Sequence, residues 1–76
     1  MKTSIWMWAS DARPRRKCVW SGELSHIPER GSQIVVLDGY CCETVDQVVF
    51  DISSNTVEIH LSGFDNNNEY PEVPLS

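Results

Sequence analysis

An all-β domain is the fold class that this 76-residue chain predicts. β-forming residues gather in five short runs parted by turn residues. No window of eleven or more residues repeats its apolar side chains at the 3.6-residue period of a helix. The last run alternates with a strict period of two, Val57, Ile59 and Leu61 against Thr56, Glu58 and His60, as a strand with one covered face does. Five short antiparallel strands of this kind are expected to close into a small barrel or a strongly curved sheet, because curling removes the open edges that invite aggregation.

The first run, Ser4 to Ala9, places Ile5 and Met7 on one face and Trp6 and Trp8 on the other. Both faces are apolar and a small barrel has one inside, so either the tryptophans are core or they lie outside, covered by the tail or by a second copy of this strand. The second run, Lys17 to Leu24, carries Gly22, read as a bulge or bend. The third, Gln33 to Leu37, leads into Asp38-Gly39, a type I′ hairpin signal. The fourth, Tyr40 to Ile52, changes parity near Val48-Val49, and one extra residue there would re-phase it. Ser53-Ser54-Asn55 turns the chain into the fifth run, Thr56 to Leu61. Ser10 to Arg16 and Ser25 to Ser32 read as loops, with Pro28 starting a turn and Gly31 closing it. Residues 1–61 form the expected domain. From Ser62 to Ser76, with Asn66-Asn67-Asn68, two prolines and three acids, a largely disordered acidic tail is expected, with Phe64, Tyr70, Val73 and Leu75 available to pin it or to anchor a partner.

Charge is segregated along the chain. Residues 1–37 hold all six bases and three acids, net +3, whereas residues 38–76 hold eight acids and no base, net −8. A domain with one such half presents an acidic side that repels nucleic acid and attracts basic partners. The cysteines, Cys18, Cys41 and Cys42, are odd in number and lack paired spacing, which fits a reducing, cytoplasmic setting. With His26 and His60 they make no C-x2-C arrangement, so no metal is expected. The chain shows no G-x-S-x-G, H-E-x-x-H or P-loop motif, which points to binding rather than turnover, with no cofactor. Met1 to Ala9 lacks the apolar stretch of a secretory signal, and no apolar run is long enough for a membrane span.

The order Trp20-Ser21-Gly22-Glu23-Leu24, Ile27-Pro28-x-x-Gly31-x-x-Ile34, Asp38-Gly39 and Thr56 to Leu61 resembles the layout of SH3-like small β-barrels over residues 17–61, and is similar to short proteins encoded by bacteriophages and prophages. The resemblance implies a binding role of inhibitor or adaptor type, as in anti-CRISPR proteins, and carries no functional residue with it.

Two candidate surfaces follow from the residues. The acidic side, through Glu43, Asp46, Asp51 and Glu58, would cover a basic, nucleic-acid-binding surface of a host defence protein. The alternative is a single-stranded nucleic acid or nucleotide site. There Arg13, Arg15, Arg16 and Lys17 would pair with phosphates while Trp6, Trp8 and Trp20 stack on bases. A net charge of −5 argues against duplex DNA. The bland reading of the basic run is that it pairs with the acidic half of its own chain. A structural, homo-oligomeric phage component, with a homodimer seam along the first strand, is the third reading.

Overall fold

The computed structural model describes residues 1–9 and 15–74. Five strands, β1 (Lys2–Ala9), β2 (Arg15–Glu23), β3 (Gln33–Ile34), β4 (Glu43–Asp51) and β5 (Thr56–Asp65), form one sheet in the order β2-β1-β5-β4-β3. The sheet curls strongly into a half-barrel. Helices are absent from the described residues, so none is long and apolar enough to cross a membrane. The all-β, strongly curved sheet agrees with the sequence. Its central pair does not follow the all-antiparallel expectation: β1 runs parallel to β5, while β1–β2, β4–β5 and β3–β4 are antiparallel. A parallel pair requires a long crossover. Residues 24–42, between β2 and β4, supply it, and β3 is their only strand.

Alternation decides the two faces. Ile5 and Met7 of β1 and Val57, Ile59 and Leu61 of β5 point to the concave side and meet Val19, Val45 and Tyr70 in one buried core. Each such aliphatic side chain contributes about 1.5–3 kcal/mol by leaving water. Trp6 and Trp8 are therefore on the outer face, half-buried and exposed respectively.

Register slips occur in three pairs, β1–β2, β4–β5 and β1–β5, the last between Trp6 and Trp8, which pair with His60 and Phe64, and none falls where the sequence placed one. The β1–β2 register slips between Ile5 and Trp6, which pair with Trp20 and Cys18, so Val19 is the extra residue and Gly22 pairs regularly with Thr3. Gly22 instead makes room for the Trp20 indole, whose ring would lie 2.9 Å from a Cβ there. In β4 the slip falls between Val45 and Gln47, at Asp46 rather than near Val48-Val49. It turns Val48 and Phe50 to the concave side, opposite Ile59 and Val57, and sends Gln47, Val49 and Asp51 outward with Glu58 and His60.

Asp38-Gly39 does not close a type I′ hairpin. Tyr40 N–H donates to Leu37 C=O at 3.1 Å, and only Gly39 of the central pair has positive φ, +90°. That is the pattern of a type II turn, set within a longer loop because β3 stops at Ile34. Gly31, also at +90°, sits in the same position of a turn closed from Ser32 N–H to Glu29 C=O.

The largest departure concerns the C-terminal segment. β5 continues to Asp65, four residues past the clean alternation, because its second half still pairs with Trp8 and Ala9 of β1. Beyond it the chain folds back. Tyr70 enters the core and lies tilted against Tyr40 with ring centroids 5.4 Å apart, and Val73 N–H donates to Cys18 C=O on β2.

Candidate functional site

The basic run does not form a loop of free cations. Arg15, Arg16 and Lys17 open β2, and the pleat sends neighbours to opposite faces. Lys17 turns inward beside Met7 and is fully buried. Its ammonium has three donors and three acceptors: Asp65 Oδ2 at 2.5 Å, Asn68 Oδ1 at 2.9 Å and Tyr70 C=O at 2.7 Å. Asp65 also accepts from the N–H groups of Glu69 and Tyr70. Burial pushes the Asp65 carboxyl upward, but Lys17 and these two amides more than offset it and hold the group below the usual carboxylate range. Arg15 pairs with Glu72 at 2.9 Å, and that bond lowers the Glu72 carboxyl. Arg13 lies outside the described residues. Among the described residues of the alternative cationic set, Arg16 is the one on the outer face.

There Arg16 joins His60 and Glu58, two of the three residues that the alternation put outward. It donates to His60 Nδ1 at 2.7 Å, and His60 Nε2–H donates to Glu58 at 3.1 Å. This network buries the imidazole, which the sequence alone left as a solvated strand residue. Trp6 borders it, its indole N–H donating to Ser4 Oγ at 2.8 Å, and the four side chains Trp6, Arg16, Glu58 and His60 line a shallow hollow of about 260 Å³. Trp8 stacks on Phe64 at 6.5 Å across the β1–β5 pair, and both rings are exposed. Trp20 is not part of this surface. It lies on the concave side and lines an apolar groove of about 350 Å³ with Ile5, Leu24, Pro28 and Ile34.

The four acidic candidates lie along β4 and β5 without forming one patch. Glu43 and Asp51 stand at opposite ends of β4, about 26 Å apart at the rise of an extended strand. Glu43 is half-buried over Gly63, whose missing side chain leaves its carboxylate room. Asp46 occupies the bulge and is exposed. Asp51 accepts from Ser53 Oγ at 2.7 Å and from the Ser53 and Ser54 amides, which lowers its carboxyl and fixes the β4–β5 turn. Glu58 sits diagonally across from Asp51 on the outer face.

What the sequence did not single out is the apolar company of these acids. Val49, Phe50 and Ile52 are exposed, Phe50 at 55 % and Ile52 at 81 %. Phe50 points to the concave side but escapes the core, because β3 is two residues long and nothing follows it along β4. The signal was present in Phe50-Asp51-Ile52 standing directly before a turn, where a hairpin tip leaves the body of the sheet.

Cys18 is buried, which pushes its thiol up, while Cys41 and Cys42 are exposed thiols. Among the described residues no three of His, Cys, Asp and Glu converge as a metal site would. No family model, no curated protein and no solved structure matches the chain.

Proposed function

We propose that this is a non-enzymatic binding protein of inhibitor or adaptor type that docks on a basic surface of a partner protein. One observation carries the reading. At the β4 end of the half-barrel, exposed Val49 shares the outer face with Asp51 and Glu58, exposed Phe50 faces the concave side, and exposed Ile52 and Asp46 stand in the turn and at the bulge. Protein interfaces combine an apolar centre with a polar rim in this way. Of the cations, Lys17 and Arg15 are engaged by Asp65 and Glu72 at the other end of the sheet, and Arg16 reaches Glu58 through His60. A partner that completes the surface supplies Lys and Arg around an apolar depression. The phage-type resemblance fits a host defence protein with a nucleic-acid groove as that partner, blocked by steric and electrostatic cover.

The test is affinity capture from host lysate with the wild-type chain and a Phe50→Ser, Ile52→Ser variant, each at low salt and at about 0.5 M, where the screening length falls well below the separation of surface charges. Capture lost in both the variant and the high-salt arm is the expected result. A partner retained in full under either change overturns the reading.

A second reading rests on the outer face, where the exposed Trp8–Phe64 stack lies beside Arg16. Aromatic rings next to a guanidinium stack single-stranded bases. This reading predicts that an oligothymidylate quenches tryptophan fluorescence and that an Arg15→Glu, Arg16→Glu variant loses the effect. A flat titration removes it.

A further inference from the structure

The strand that carries the acidic and apolar residues is also the one with an open edge. On its inner side β4 pairs with β5 from Val45 to Asp51. On its outer side β3 covers only Glu43 and Thr44, and two further bonds, Gly31 N–H to Val45 C=O and Val45 N–H to Ser32 C=O, end the cover at Val45. Among the described residues, no backbone hydrogen bond reaches this edge from Asp46 to Asp51. All six of these residues are exposed or half-buried. Six residues of extended chain are about 20 Å of free peptide donors and acceptors. Edges of this length are usually shortened, charged or covered. At the opposite edge of this sheet, Val73 N–H donates to Cys18 C=O.

We infer that the β4 edge from Asp46 to Asp51 receives an extended, basic segment of a partner protein as an added strand. The occupant follows from charge and from the pleat. A second copy is disfavoured, since two-fold antiparallel pairing of the whole open stretch sets Asp46 against Asp51 twice, between chains of net charge −5. Val48 and Phe50 face the concave side, whereas Asp51 faces outward with Glu58 diagonal to it. An incoming strand therefore places apolar side chains beside Val48 and Phe50 and Lys or Arg beside Asp51, with the exposed Asp46 at the other end of the stretch. Its signature is an alternation of apolar and basic residues, with main-chain bonds providing affinity and the alternate side chains providing selection. This inference rests on the binding role proposed above and names how that surface is used.

The probe is an eight-residue peptide alternating Lys and Val, added to the ¹⁵N-labelled full chain. Two controls accompany it: the same peptide with alternate backbone nitrogens methylated, and a version with Glu in place of Lys. Slowed amide exchange confined to residues 46–51, absent with both controls, is the expected result. An Asp46→Lys chain should bind the peptide about three- to fivefold more weakly, the effect of one opposed charge pair turned into a like pair. Shifts centred on Trp8 and Phe64, equal binding of the methylated peptide, no binding at all, or a dimer formed through residues 46–51 would each overturn the inference. Equal binding of the methylated peptide at Phe50 and Ile52 would remove strand addition alone and leave the interface reading intact. That reading falls separately, by capture retained in full either at high salt or by the Phe50→Ser, Ile52→Ser variant.

Discussion

The two ends of this sheet treat charge in opposite ways. At the β2 end, cations and acids distant in sequence are brought together: Lys17 with Asp65, and Arg15 with Glu72. At the β4 end, Asp46 stands exposed at the open edge, with Asp51 occupied by its own turn. The first end is closed by the C-terminal segment, with Tyr70 in the core and Val73 on the strand edge. The second keeps its backbone and its apolar residues, Val49, Phe50 and Ile52, toward solvent. The difference separates the two uses of charged residues in one small domain. Arg15 and Lys17 of the basic run hold distant parts of the fold together, whereas Asp46 at the β4 end is exposed to solvent.

The strongest way to break this contrast is to disturb the closed end. Asp65→Ala leaves the Lys17 ammonium buried with two neutral acceptors, Asn68 Oδ1 and Tyr70 C=O, and no counter-charge. Removing one member of a buried pair typically costs about 3–5 kcal/mol, a large share of the stability of a domain this small. Lys17→Met should cost less, because the Asp65 carboxylate keeps the amides of Glu69 and Tyr70 and stays hydrogen-bonded. Urea unfolding followed by tryptophan fluorescence measures both. Equal losses, or a larger loss for Lys17→Met, would show that the ammonium is not what makes this cluster sensitive.

Acid acts on the same contact. The Asp65 carboxyl is lowered in the folded chain, so the stability it contributes is fully present above its unfolded value, about 3.9, and is lost as pH falls through the folded value. Glu72, lowered by Arg15, follows the same direction. Between neutral pH and about 5 the C-terminal segment should therefore stay docked, and below about 4 it should release before the sheet melts. Amide exchange at residues 68–73 compared with residues 57–61 reads this directly. Simultaneous loss of both segments would show that the docked segment has no separate acid threshold.

Local pattern made the sheet legible and left its closure hidden. Val57, Ile59 and Leu61 reach the core as their alternation requires, and His60 and Glu58 share the other face. The need for an extra residue in the fourth strand was visible as a parity change, but its position depends on β5, the strand it pairs with. The parallel β1–β5 pair joins residues more than fifty positions apart and leaves no trace in periodicity. Lys17 reads as one cation of a basic run, and its partner is not visible until Asp65, 48 residues away, is placed beside it. The same limit hid the site. Acidic candidates were legible as a charge imbalance, whereas the exposure of Phe50 is not, because a short run cannot show that β3 ends after two residues. For β1 as a dimer seam, both backbone edges are occupied, by β2 and β5, which leaves only the outer-face rings of that strand open.

The smallest expected change in stability sharpens the contrast from the open end. Phe50 and Ile52 retain more than half of their accessible surface, and neither belongs to the buried core. Substituting both by Ser removes apolar surface that already faces water, so unfolding free energy should move by no more than about 0.5 kcal/mol per site. Asp51 and its bonds to Ser53 and Ser54 stay in place, so the turn between β4 and β5 is preserved. A variant that loses its partner while keeping its stability assigns these side chains to recognition. A loss of about 2 kcal/mol or more would instead mean that Phe50 packs against the concave face and that the β4 end is as closed as the other.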